Sequence, residues 1–187
     1  NSTFKITVGC VEPHFFAGFS GGPKMVAPGL AGKETIYALH NAERIGDEHS
    51  SWGLISGNVI QDSIREIVLK TGVDFSIDVT TDFENKITSV CSGNLFDVHK
   101  VQVEKAKSIS MQEVSNKFDL VITTNSGYPL DLNLYQTIKG ISAAFKILKD
   151  DGVILCASEC RDGFPDHGKY KDLLKNGTSA QSILDSI

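Results

Sequence analysis

The chain has 187 residues, 41% of them hydrophobic and 22% charged, a balance that suits one domain or two small ones built around a real core. Its net charge of −5 gives no basic footprint for nucleic acid, and no apolar run approaches the roughly 20 residues that a membrane-spanning helix needs. Cys10, Cys91, Cys156 and Cys160 form no CxxC pair and read as buried thiols or isolated residues; with no secretion-type leader in view, the expected compartment is the cytoplasm.

In chain order, Ile6–Val11 reads as a core-type strand, followed by a glycine-rich loop from Gly18 to Gly32. Glu34–Arg44 has helical periodicity, with Ile36, Leu39, His40 and Glu43 on one side. Asn58 is placed to cap a helix running to Lys70, whose Val59, Ile60, Ile64, Ile67 and Val68 form an apolar stripe. Phe75–Thr80 and Ile87–Ser92 alternate as strands about the turn-like Asp82–Lys86, and Asp97–Ser108 is helical. A second unit begins after Ser108. Asp119–Thr124 is a buried-type strand, and Asn133 is placed to cap a helix over Leu134–Leu148 that breaks or bends at Gly140. Gly152–Ala157 is another strand, leading into the polar loop Glu159–His167. Strand, helix and strand at these lengths make a crossover, so this pair is expected to be parallel, with ligands gathering at the carboxyl ends. The expected fold class is α/β, a mixed or parallel sheet with flanking helices. It divides into two small α/β subdomains, 1–110 and a truncated 111–187, with a cleft between them.

Chemistry concentrates in His14–Lys24 and at His40. Gly18, Gly21 and Gly22 let backbone N–H groups approach an anion without interference from a Cβ. The spacing is not a Walker loop, since Gly32-Lys33 is followed by Glu34 and not by Ser or Thr, and GxGxxG is absent too. Lys24 reads either as an exposed loop lysine or as an amine desolvated by Phe19, Met25 and Val26, able to bond to a carbonyl-type carbon. His14 follows Pro13 at a strand end, where α/β proteins present functional groups, and His40 lies on the apolar side of its helix. Each histidine has a plainer reading as a hydrogen-bonded core residue. Tyr135 and Lys139 are i and i+4, and Gln136 and Lys139 are i and i+3, so these side chains can serve one carboxylate or alkoxide; the plainer alternative is packing and solvation.

Taken together, HFFAGFSGGPK (His14–Lys24), APGLAGKETI (Ala27–Ile36) and His40 resemble the signature of the nickel-pincer-nucleotide lactate racemase family. Leu134-Tyr135-Gln136-Thr137-Ile138-Lys139 is similar to that family's Tyr-Gln-x-x-Lys helix, and Glu159-Cys160-Arg161-Asp162-Gly163 resembles its ECRxG loop. The resemblance implies a racemase or epimerase of a 2-hydroxy acid that works by transient hydride transfer. Its cofactor would be a Ni(II) pyridinium-thioamide-thiocarboxylate mononucleotide. Lys24 would hold this nucleotide through a thioamide bond, His40 would ligate nickel, and His14 would be one of two catalytic bases. Tyr135 and Gln136 would bind substrate, with Lys139 near the substrate oxygen or the cofactor. Pro23 stands where the lactate racemase pattern has arginine, which leaves the identity of the 2-hydroxy acid open.

The family's other catalytic histidine and its Asp-x-Thr-Arg loop are expected upstream of residue 1, in an N-terminal segment of the same protein, and a later tryptophan beyond Ile187. His49, His99 and His167 lack a motif that would make them replacements. The chain is therefore expected to hold the cofactor half of an active site and to be inactive alone. Two alternatives use the same loop: a noncatalytic nucleotide- or anion-binding module, and a Schiff-base enzyme with Lys24 as the amine and His14 as the base.

Overall fold

A computed structural model describes residues 3–165 and 169–187. His167, expected in a polar loop, lies outside the described residues. The chain divides into two compact units, Asn1–Gln112 and Glu113–Ile187. Both are α/β, as expected, with a mixed sheet in the first and a parallel pair in the second.

In the first unit, β1 (Ile6–Cys10) runs parallel to β4 (Phe75–Thr81), and β5 (Ile87–Gly93) runs antiparallel on the other side of β4. The alternation places Thr7, Ser76, Asp78 and Thr80 on the buried face. Helix α4 (Leu95–Ser110) covers that face, capped by Asn94 and presenting Leu95, Val98, His99, Gln102, Val103 and Ala106 at helical spacing. The apolar side chains turn the other way: Val8 is 64% exposed, and Ile6, Ile87 and Val90 are also exposed. The expectation of a core-type first strand is corrected accordingly, because α4 brings polar partners to the sheet and draws its polar face inward. The cysteines in the strands are half-buried, not buried.

Helix α3 (Val59–Thr71) is capped by Asn58, whose Oδ1 accepts from the Ile60 and Gln61 N–H groups. Its Ile60 and Ile64 pack with Phe16, Ala17, Ala27 and Leu39 in one core cluster. The glycine-rich segment has its own architecture: β2 (Pro13–His14) pairs antiparallel with β3 (Gly18–Phe19), and a 3-10 turn covers Gly22–Met25. The helix expected over Glu34–Arg44 is two pieces, α1 (Lys33–Leu39) and α2 (Ala42–Ile45). Asn41 caps the second by accepting from the Arg44 N–H, so His40 sits at a helix end and not on a helix face.

In the second unit, β6 (Phe118–Thr124) pairs in parallel with β7 (Leu148–Ala157) across helix α5 (Leu134–Phe145). Gly140 does not break the helix in two. Its place is explained by close approach, since a Cβ there would lie 2.3 Å from the Thr124 carbonyl oxygen. Leu148, expected at the end of this helix, instead starts β7. Two short helices follow, α6 (Tyr170–Asn176) and α7 (Ala180–Leu184). The sheet face bearing Leu120, Ile122, Val153 and Leu155 is exposed. Among the described residues, no helix is long and apolar enough to cross a membrane.

Candidate functional site

Three of the expected groups surround one buried ring. The Phe16 ring centroid lies 4.5 Å from that of His14 and 5.1 Å from that of His40, both edge-on, and the Lys24 Nζ is 6.0 Å away. Phe15 extends this aromatic patch, tilted 5.1 Å from His14, edge-on 4.4 Å from Phe16 and 6.2 Å from Trp52. The sequence pointed to Phe19, Met25 and Val26 as company for the lysine; Phe16 is the aromatic partner the fold supplies, and Lys24 itself is half-buried.

The two imidazoles are held in different states. His40 Nδ1 lies 2.7 Å from the Ile36 carbonyl oxygen, and a carbonyl can only accept, so the proton is on Nδ1. The lone pair is then on Nε2, which is the form in which histidine ligates a metal, with its other nitrogen fixed by a backbone carbonyl. His14 is the reverse. Its Nδ1 accepts from the Ala17 N–H at 3.2 Å and the Phe16 N–H at 3.4 Å, which favours the proton on Nε2.

The backbone that carries these groups is irregular, with φ of 75° at Gly18, 70° at Gly21 and 46° at Gly22. Other elements bond to it directly. Asn58 Nδ2 donates to Phe16 O, and Gln61 Nε2 donates to both Ala17 O and Phe19 O. His99 Nε2 donates to Ser20 O at 3.0 Å, while Asp78 Oδ2 accepts from the Gly22 N–H at 3.0 Å. Burial pulls the His99 imidazole down to a pKa of about 4, so it is neutral near pH 7. Burial raises the Asp78 carboxyl, and the Gly22 N–H offsets part of that shift. Gln102 Nε2 donates to the Asp78 carbonyl, tying α4 to the strand below. None of Gln61, Asp78 or Gln102 was marked by the sequence, and His99 only as a histidine without a motif. The available signal was a polar residue inside an otherwise apolar helical stripe.

In the second unit, Tyr135, Gln136 and Lys139 share the first turns of α5. Tyr135 is partly exposed and stacks edge-on with Tyr170 at 5.7 Å, and Gln136 and Lys139 are half-buried. Burial raises the Tyr170 phenol above its ordinary pKa. The Glu159–Gly163 loop closes on the start of this helix. Cys160 N–H donates to Asp131 O, Asp162 N–H to Leu132 O, and Leu134 N–H to Gly163 O. Asp131, buried, accepts from the Glu159 N–H, and Thr137 and Ser158 hydroxyls are 2.6 Å apart. The loop's evident work in this unit is to seat the helix that bears Tyr135 and Gln136.

Among the described residues, no three His, Cys, Asp or Glu side chains gather to hold a metal by themselves. A nickel ion bound through His40 would take its other donors from a cofactor. The donor set fits such a group in three respects: one imidazole with its Nε2 lone pair available, a primary amine beside the same ring, and a glycine backbone open to close approach.

Comparison with known proteins gives a consistent picture. Family models match at both ends of the chain, the lactate racemase N-terminal domain over residues 1–53 and the lactate racemase C-terminal domain over residues 113–187. The lactate racemase of Thermoanaerobacterium thermosaccharolyticum is 36% identical over 182 residues, covering 97% of this chain and 42% of the relative. That of Lactiplantibacillus plantarum is 38% identical over 168 residues, covering 90% and 39%. The solved structure of the T. thermosaccharolyticum lactate racemase apoprotein superposes with a TM-score of 0.94 at 35% identity, over 100% of this chain and 44% of that one. The chain thus spans about two fifths of the length of the relatives it matches.

Proposed function

The chain belongs to the lactate racemase family, and on that premise we propose that it is part of a racemase or epimerase of a 2-hydroxy acid that uses a nickel-pincer nucleotide. The observation that carries the proposal is the convergence of His14, Lys24 and His40 on the Phe16 ring. In this reading Lys24 is the covalent attachment point and His40 Nε2 is the nickel ligand. The bound group supplies a reversible hydride acceptor, so that C2 of the substrate can be rebuilt in either configuration.

The residues of this chain do the rest of the work. His14 takes the hydroxyl proton as the hydride leaves C2 and gives it back on return. To accept that proton at Nε2, the ring must first carry its own proton on Nδ1, giving up two long hydrogen bonds from Phe16 and Ala17. Leaving the buried Phe16 and Ala17 N–H groups without that acceptor costs about 1–3 kcal/mol each, which substrate binding has to offset. The second acid–base group, needed on the opposite face of C2, comes in this proposal from the portion of such proteins that the chain does not span. Tyr135, Gln136 and Lys139 bind the substrate carboxylate or hydroxyl oxygens, the cation and hydrogen-bond donors matching an anionic ligand. The Phe15, Phe16 and Trp52 rings limit water around the reacting centre.

The test is interconversion of enantiomers. The complete, cofactor-loaded protein is incubated with single enantiomers of a panel of 2-hydroxy acids and the products are resolved by chiral chromatography. Interconversion of at least one acid, lost in His14→Ala, is expected. A loaded protein that inverts none of them overturns the racemase reading.

A further inference from the structure

In regular structure a buried carbonyl finds its partner in a neighbouring backbone N–H. Between Phe16 and Gly22 a two-residue strand pairing and a few turn bonds serve only part of the backbone, and side chains from three other elements hold further groups. Asn58 and Gln61 at the start of α3 hold Phe16 O, Ala17 O and Phe19 O. His99 of α4 holds Ser20 O, and Asp78 of β4 holds the Gly22 N–H. All four side chains are fully buried. The last two bonds bracket the residues just before Lys24. His99 also sets the wall of this bracket, since a Cβ on Gly22 would come within 2.6 Å of its ring. A Cβ on Gly9, across the sheet, would lie 2.6 Å from Asp78 Oδ1.

A core built for stability alone would not choose these two side chains. His99 Nδ1 and Asp78 Oδ1 are both buried without a hydrogen-bond partner among the described residues. Leaving a polar atom buried and unsatisfied is unfavourable by about 1–3 kcal/mol, so such groups in a native structure call for an explanation. What they achieve is added control of a backbone with little regular structure of its own: three residues with positive φ, a two-residue ladder, and a 3-10 turn that carries Lys24.

We infer that His99 and Asp78 are positioning residues, clamping Ser20–Gly22 so that the 3-10 turn presents Lys24 in one orientation. They act through the loop backbone, His99 by donating to Ser20 O and Asp78 by accepting from the Gly22 N–H. The catalytic meaning of this clamp rests on the proposed attachment role of Lys24, whereas the clamp itself is a property of the unliganded loop.

The experiment compares wild type with His99→Phe and His99→Gln, without cofactor. Two quantities are read by peptide mass spectrometry: amide hydrogen exchange over Ser20–Met25, and the rate at which an acetylating N-hydroxysuccinimide ester modifies Lys24 relative to Lys33. Phenylalanine keeps the ring's bulk and loses the donor, while glutamine loses the ring and keeps an N–H able to reach Ser20 O. The clamp predicts at least tenfold faster loop exchange and at least a threefold change in relative Lys24 labelling for His99→Phe, with His99→Gln within threefold of wild type in exchange. A role in packing alone predicts the opposite order, and that order, or wild-type values in His99→Phe, overturns the inference. Should His99→Phe fail to fold, Asp78→Val and Asp78→Asn make the same comparison, since asparagine keeps the acceptor for the Gly22 N–H and valine does not; equal exchange in that pair overturns it. Absence of a cofactor adduct at Lys24 in wild type would remove the attachment role and leave these readouts unchanged, so the two failures are distinguishable.

Discussion

From Phe16 to Gly22 the backbone takes several of its hydrogen bonds from side chains of α3, α4 and β4 and their caps, whereas from Leu134 to Phe145 it is bonded to itself as a helix capped by Asn133. The first lies between His14 and Lys24, and the second carries Tyr135, Gln136 and Lys139. On the helix, the spacing of Tyr135, Gln136 and Lys139 follows from 3.6 residues per turn, and outside help is needed only at its start. On the loop, each φ has to be imposed from elsewhere, and the residues that impose it are buried, polar and distant in sequence. The site's sensitivity to mutation should therefore spread far from His14 and Lys24 in the first unit, and stay local in the second.

The largest test of that contrast is Gly22→Ala. A side chain at φ 46° is strained, and its Cβ would meet the His99 ring at 2.6 Å. We expect a loss of about 3 kcal/mol in stability by chemical denaturation, combining backbone strain with overpacking. A loss under about 1 kcal/mol would mean that the loop is free to relax and is not clamped.

Next comes pH. The His99 pKa is lowered to about 4 from 6.5, so between those values the unfolded chain binds a proton that the native fold does not. Its contribution is complete above pH 6.5 and is lost as pH falls towards 4, by about 3 kcal/mol at most. Asp78 works in the opposite direction, because its raised pKa favours the native state as pH falls, so the net slope is smaller. The nearby Arg65 charge adds to the lowering at His99. Thermal denaturation from pH 7 to pH 4 should show a falling melting temperature in wild type and a flatter profile in His99→Gln; parallel profiles would contradict the assignment.

The smallest effect belongs to the helix. Tyr135→Phe keeps the ring against Tyr170 and removes one partly exposed hydroxyl, so stability should change by less than about 0.5 kcal/mol. In the complete enzyme the same change should raise KM for the 2-hydroxy acid severalfold. An effect on stability as large as that of Gly22→Ala would erase the contrast between loop and helix.

Much of the architecture was legible because it is periodic. The caps Asn58 and Asn133, the strand–turn–strand at Asp82–Lys86 and the parallel crossover all follow local rules. The motif around Lys24 carried the family. Among the local readings that failed, Asn41 caps a second short helix and so ends the first at His40, and Gly140 admits the Thr124 carbonyl without breaking α5. The side chains that brace the loop were not legible. Gln61 reaches back 44 residues to Ala17 and His99 reaches back 79 to Ser20, and contacts at that range leave no periodic trace. Strand alternation likewise cannot say which face turns inward, and in β4 the polar face does, to meet His99 and Gln102.

The measurement that bears most directly on the account is intact mass combined with nickel content, taken on the complete protein after exposure to the pincer nucleotide. The account predicts a covalent mass increase with about one nickel per chain, in keeping with a single imidazole ligand. Lys24→Ala should lose both, and His40→Ala should keep the mass and lose the metal. A wild-type protein that stays at its unmodified mass and binds a phosphate-bearing ligand reversibly, without nickel, would contradict it.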